Sequence, residues 1–260
     1  MPVRFRRFIH GFFLLALATL LQTAHADRLP RVLVFGDSNS WGWVATAQGL
    51  PTQRLDDDAR WPGVLAAALA GQAQIGVDAL SGRTVDIDYP EPLVGLPGTL
   101  FNGSRSLPEA LARETPLDLL IVMLGTNDLR SDLGRTPEAI ARGLRTLITQ
   151  TQTFGHGVAT TYAPPKVLVV IPPPLGDVSA TPLRAFFGGM EAKSRALAPA
   201  VQRALAGTNV RVFDAAEATG PLAGVDGIHL TAAQHAMLGQ ALTTVVRRSL
   251  DLPAPQETAR

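Results

Sequence analysis

Five short apolar runs constrain this chain more than any other feature. They cover residues 32–35, 75–80, 117–124, 167–171 and 210–213, each followed by loop residues and, in most cases, by a helical pattern. Leu119-Leu120-Ile121-Val122-Met123-Leu124 and Val167-Leu168-Val169-Val170-Ile171 are apolar without alternation. A strand with one wet face alternates apolar and polar residues, whereas a strand that is apolar throughout is covered on both faces, as parallel strands are. Strands that alternate with helices imply right-handed crossovers. The expected fold class is therefore α/β, a sandwich built on one open, mostly parallel sheet.

Helix signals fill the spaces between these runs. Thr136-Pro137-Glu138 supplies an N-cap, a proline at the first helical position and an early acid, and Ile140, Leu144, Leu147 and Ile148 follow at three- and four-residue steps. Thr231 and Gln234 read as a capping box ahead of the stripe Met237, Leu238, Ala241, Leu242, Val245 and Val246. Residues 61–70 and 183–206 also read as helices, the second interrupted in composition by Gly188-Gly189 and Pro199. Residues 83–106 and 172–182, rich in Gly and Pro, read as loops over one edge of the sheet, and 251–260 as a frayed tail.

The first stretch has the grammar of an export signal. Arg4, Arg6 and Arg7 precede an apolar run from Gly11 to Leu21, and Ala24-His25-Ala26 offers small residues for cleavage after Ala26. About 20 apolar residues are needed to span a bilayer, and this run is shorter, so no stable membrane insertion is expected. Residues 1–26 thus read as a signal peptide and 27–260 as a single domain, exported to the periplasm or the medium. Without that segment about 20 basic and 22 acidic residues remain, and nothing suggests a nucleic-acid partner. The absence of cysteine excludes disulfides and thiolate chemistry. The five histidines form no metal-binding pair, so neither a metal nor another cofactor is expected.

In an open parallel sheet, ligands bind beyond the carboxyl ends of the strands. Those exits carry Gly36-Asp37-Ser38, then Ser81-Gly82-Arg83, then Gly125-Thr126-Asn127-Asp128. The last run is followed by Asp226-Gly227-Ile228-His229, just ahead of the final helix. A serine needs a base to take its proton, and a histidine needs a carboxylate to fix its tautomer; Ser38, His229 and Asp226 supply these roles. The backbone N–H groups of Ser38 and Gly82 and the Asn127 carboxamide supply donors for an oxyanion. This is a complete set for acyl transfer.

In these four blocks, taken in order across the chain, the sequence resembles the SGNH hydrolases, or GDSL-type esterases. The stretches GDSNSWGW, DDDARWPGVL, DLLIVMLGTNDLR, TPEAIARG and GVDGIHLT are similar to its arylesterase and acyltransferase branch, which includes perhydrolases. That resemblance implies a flavodoxin-like three-layer α/β/α sandwich with a five-stranded parallel sheet and no metal. It implies small acyl esters as substrates, water, alcohols or peroxide as acceptors, and homo-oligomers. It assigns Ser38 as nucleophile, Asp226 and His229 as its triad partners, and Ser38, Gly82 and Asn127 as the oxyanion hole. Asn39, Trp43 and Ile228 are expected at the substrate pocket. Asn39 stands where near relatives carry a large aliphatic residue, and Gly82 where they tend to have alanine.

Other residues read more plainly. Asp37 and Asp128 are expected to hold the exit loops, Trp41 and Trp61 to pack, and His156 and His235 to face solvent. Arg83 and Arg130 lie near the expected site without an assigned role. No Gly-x-Ser-x-Gly elbow or phosphate-binding loop occurs. Deacetylation of a polysaccharide, and a non-catalytic binding module on the same fold, remain as alternative readings.

Overall fold

A computed structural model describes residues 28–253, so the expected signal peptide, residues 1–26, lies outside the described residues. Five parallel strands form the sheet: β1 (Arg31–Gly36), β2 (Gln74–Ala79), β3 (Leu119–Met123), β4 (Lys166–Ile171) and β5 (Arg211–Asp214). Their order is β2-β1-β3-β4-β5. Successive connections therefore leave β1 in opposite directions, which opens a crevice at the carboxyl ends of β1 and β3. Every residue of β3 is buried, as are all but the first of β1 and β4. The edge strands β2 and β5 are half-exposed, which is why their runs are weaker in the sequence.

Eight helices are described: α1 (Ser38–Trp41), α2 (Trp61–Ala68), α3 (Gly103–Glu114), α4 (Pro137–Phe154), α5 (Arg184–Phe187), α6 (Glu191–Leu205), α7 (Ala216–Thr219) and α8 (Ala232–Ser249). One layer packs α2 on α8, and the other packs α4 between α3 and α6. The helix starts follow the sequence signals. Thr136 Oγ1 accepts from Ala139 N, and the Thr231–Gln234 capping box is complete. The arrangement is the three-layer sandwich expected.

Three expectations change. Residues 83–106 are not loop throughout: α3 begins at Gly103, where the Asn102 side chain caps it by accepting from Ser104 N at 3.0 Å. Asn-Gly-Ser reads locally as a turn, but a Cβ on Gly103 would lie 2.8 Å from the Thr84 and Val85 carbonyl oxygens, so glycine lets the helix start against the β2 exit. The segment 183–206 is two helices, separated where Gly189 takes a φ of 77°, while Pro199 sits inside α6 without breaking it. Of the tail, Asp251 pairs with Lys166 at 2.6 Å and Leu252 packs on the core; residues 254–260 lie outside the described residues.

Two buried carboxylates hold the exits of the central strands. Asp37 Oδ1 accepts from Asn39 N at 2.9 Å and so caps α1. Asp128 Oδ2 accepts from Val85 N at 2.9 Å while Oδ1 takes the Arg135 guanidinium at 2.6 Å, joining the β3 exit to the β2 exit. Burial pushes Asp37 up to about 7, against its bond from the Asn39 N–H, with Asp128 adding to the rise and Arg83 opposing it. Burial likewise pushes Asp128 up to about 6, opposed mainly by Arg135. Both serve architecture, as expected.

Two outcomes follow from this packing. A Cβ on Gly239 of α8 would lie 2.6 Å from Val64 Cβ and 2.8 Å from Trp61 O, so Gly239→Ala is expected to lower the urea-unfolding free energy by about 1–3 kcal/mol. Asp37, raised from 3.8 to about 7, keeps its proton longer folded than unfolded. Its stabilising contribution is complete below about pH 4 and lost as pH rises through about 7. Urea midpoints at acid, neutral and alkaline pH are therefore expected to fall for the wild type relative to Asp37→Asn; a flat or rising difference contradicts the burial argument.

Candidate active site

Gly36 of β1 pairs with Ala79 of β2 on one side and Met123 of β3 on the other, so three strand exits leave the sheet at one level. Ser38 opens α1 immediately after β1 and is 4% exposed. The return of the chain beside it is the loop between α7 and α8. There Asp226 Oδ2 lies 2.6 Å from His229 Nδ1, and His229 Nε2 lies 3.0 Å from Ser38 Oγ. These contacts place the imidazole between a carboxylate and a hydroxyl.

Asp226 is bound on both oxygens. Its Oδ1 accepts from Ile228 N at 2.9 Å and from His229 N at 3.0 Å, so one carboxylate shapes the loop and orients the ring. Burial alone would raise its pKa, but the His229 bond and the two backbone N–H groups outweigh that and hold it below the usual carboxylate range. It therefore remains an acceptor at neutral pH. Three residues suffice for the reach because Gly227 takes a φ of 68°, with its Cβ position blocked by Asp177 O at 2.4 Å.

The expected oxyanion donors sit on three different exits. Among the described residues, Ser38 N and Gly82 N have no protein acceptor. Asn127 Nδ2 donates to Arg83 O at 3.1 Å and has a longer, 3.4 Å contact with Asp37 Oδ2. Gly82 has a φ of 88°, and Tyr89 Oη donates to its carbonyl at 2.8 Å, which fixes the peptide from its far side.

The pocket beside Ser38 has a volume of about 250 Å³. Its walls include Trp43, Leu50, Leu93, Phe101, Phe186, Phe187 and Ile228 around Ser38, Gly82, Asn127 and His229. Trp43 does more than line it, since its ring stacks on His229 with centroids 5.0 Å apart and planes at 15°. A larger hollow, about 440 Å³, lies at the opposite edge of the sheet beside Lys166 and Arg211 and contains none of the four motif blocks. Among the described residues no group of three or more His, Cys, Asp or Glu could hold a metal ion, and no helix is long and apolar enough to cross a membrane.

Two residues sit differently from expectation. Asn39 does not line the pocket: it is 1% exposed and turns to the His229 loop, where Nδ2 donates to Ile228 O at 3.1 Å and Oδ1 accepts from Leu230 N at 2.9 Å. His235 does not face solvent; it is fully buried on α8, where Nδ1 accepts from Trp61 N at 3.2 Å. Burial pushes it down to about 4. Arg83 is also buried, bonded to Gly36 O at 3.0 Å and to Asp78 Oδ1 at 2.7 Å, with its guanidinium 4.1 Å from the Phe35 ring centroid. Arg130 lines the pocket, held by Asp132 and set between Tyr89 and Phe186.

Sequence reasoning missed Gln234 beyond its cap. Its Oε1 accepts from Thr231 N and Ala223 N, both at 3.1 Å, and its Nε2 donates to Thr219 O and Pro221 O. It fastens the whole loop to α8, and a capping-box glutamine was the only available signal.

A family model for the GDSL-like lipase/acylhydrolase family matches residues 34–237. The native aryl esterase of M. smegmatis is 44% identical with a TM-score of 0.80, the match covering 85% of this chain and 100% of that one. Est24, a carbohydrate acetylesterase from Sinorhizobium meliloti, is 40% identical with a TM-score of 0.79, covering 84% of this chain and 99% of that one. A carbohydrate acetylesterase family member from Sinorhizobium meliloti is 32% identical with a TM-score of 0.77, covering 86% and 100%. No curated protein sequence matches the chain significantly. By the span of the family match and by these full-length likenesses, the chain belongs to the GDSL-like lipase/acylhydrolase family and has the SGNH hydrolase fold.

Proposed function

We propose that this protein is an exported serine esterase acting on short-chain acyl esters through an acyl-serine intermediate. The observation that carries the reading is the continuous hydrogen-bonded line from Asp226 through His229 to Ser38, ending at an apolar pocket. His229 Nε2 takes the Ser38 proton as Oγ attacks the ester carbonyl. The oxyanion is received by the Ser38 and Gly82 N–H groups and the Asn127 carboxamide, where each donor is worth about 3–4 kcal/mol of transition-state stabilisation. Collapse breaks the ester C–O bond, and His229 returns the proton to the departing alcohol. Water, activated by the same imidazole, then releases the acid.

The walls also support a second fate for the acyl-enzyme. A pocket lined largely by aromatic and aliphatic side chains disfavours water and accepts the carbon skeleton of an alcohol, so transfer to alcohols accompanies hydrolysis, while transfer to peroxide rests on the resemblance to the branch that includes perhydrolases. Leu50 and Val94, both at the pocket, are 54% and 70% exposed, an apolar surface suited to cover by a second copy in a homo-oligomer. Export rests on the pattern of residues 1–26. The likeness to Est24 favours one further reading, deacetylation of carbohydrate.

Aryl esters of increasing acyl length and acetylated xylan, each assayed on wild type and Ser38→Ala, separate these readings. Highest kcat/KM on acetyl to butyryl esters is expected, with decline once the acyl chain outgrows the roughly 250 Å³ pocket. Ser38→Ala is expected to lose at least about a thousandfold and to form no fluorophosphonate adduct. Activity on xylan but not on aryl acetates favours the carbohydrate reading, and full activity of Ser38→Ala would remove the nucleophile assignment. With an excess of a primary alcohol, ester product is expected alongside free acid; acid alone rejects the transfer activity.

A further inference from the structure

The hydrogen bond between His229 Nε2 and Ser38 Oγ joins parts of the chain 191 residues apart. Asp226 fixes the imidazole within its own loop through Nδ1 and two loop N–H groups, but it does not fix that loop relative to Ser38. Gln234 ties the loop to α8, and the bond from Gly176 N to Gly227 O at 2.8 Å ties it to the segment after β4. Neither reaches α1. Among the described residues, the direct polar tie between the nucleophile's helix and the residues flanking the histidine is the Asn39 carboxamide, which bonds Ile228 O and Leu230 N on either side of His229.

We infer that Asn39 is a positioning residue for the proposed acyl transfer: its carboxamide sets the distance between Ser38 Oγ and His229 Nε2. This rests on the esterase reading and adds the element that aligns its two halves. A carboxamide is suited to the place because one end must donate to a carbonyl and the other accept from an N–H, at a buried site where a lost partner leaves a polar backbone group unsatisfied. The Asn39 backbone N–H is itself held by Asp37 Oδ1, so the clamp is anchored at its base. Trp43, stacked on the imidazole face, limits ring tilt but does not grip the backbone.

Asn39→Leu keeps the branched shape, adds some bulk and removes both bonds. On a short-chain aryl ester, kcat is expected to fall about 10- to 100-fold, since small misplacements of reacting groups have effects of that order, while KM stays within about threefold. The rate of fluorophosphonate labelling at Ser38 should fall in step. In Asn39→Asp the carboxyl matches the amide only when protonated, with its O–H donating to Ile228 O. Its kcat is expected to show, as pH rises, a descending limb beyond the effect of the Asp37 titration that both proteins share. Asp37, Asp226 and His229 face this position in both proteins, so an added limb belongs to residue 39. Unchanged kcat in Asn39→Leu, or a change in KM alone, overturns the inference. Should that variant fail to fold, presence or absence of the added limb in Asn39→Asp decides it. Ser38→Ala, run in parallel, keeps the two claims apart: its full activity sinks the esterase reading, whereas its inactivity beside a fully active Asn39→Leu sinks only the role of Asn39.

Discussion

The level at which β1, β2 and β3 leave the sheet governs the rest of the molecule. Gly36 is in register with both Ala79 and Met123, through the buried β1–β3 ladder on one side and the half-exposed edge strand β2 on the other. Ser38, Gly82 and Asn127 each stand within a few residues of one of these exits. No loop has to travel far to bring the three together. Rigidity at the site is inherited from the ladder, and only the Asp226–His229 loop must be fastened separately.

That difference explains how much could be read in advance. The apolar runs of β1, β3 and β4, the starts of α4 and α8, and the convergence of the four motif blocks follow from period, capping residues and strand-exit geometry, which are local properties. The direction of a side chain is not local. Asn39 looks like a pocket residue because it follows Ser38, yet the first turn of α1 points it at the carbonyl and N–H flanking His229. His235 looks like a polar position on an amphipathic helix, but it lies against α2 and satisfies the Trp61 N–H there. The start of α3 was hidden for a related reason, since a glycine that permits close backbone approach and one that makes a turn are written alike.

The buried carboxylates show how one residue type serves two ends. Asp37 and Asp128 are enclosed with too little compensation for their burial, and both are raised despite a backbone N–H bond each. Asp226 accepts from two backbone N–H groups and from His229, and it is lowered. Its three donors and its shallower enclosure together separate Asp226 from the other two. In the proposed mechanism Asp226 has to remain an acceptor across the working pH range, whereas Asp37, whose one short bond comes from a backbone amide, tolerates a proton.

Arg83 ties these themes together. Its guanidinium bonds Gly36 O and Asp78 and stacks on Phe35, while its own carbonyl receives Asn127 Nδ2. One residue thereby spans β1, β2 and the loop after β3, directly behind the Gly82 N–H. Its bonds add to the Leu80 N–Gly36 O bond that already ties the β1 and β2 exits, and its charge is matched by Asp78. In the proposed mechanism its buried cation therefore acts through the geometry of the donors. The proposed oxyanion donors come from three strand exits and share no element of their own, so a residue that joins those exits braces all three.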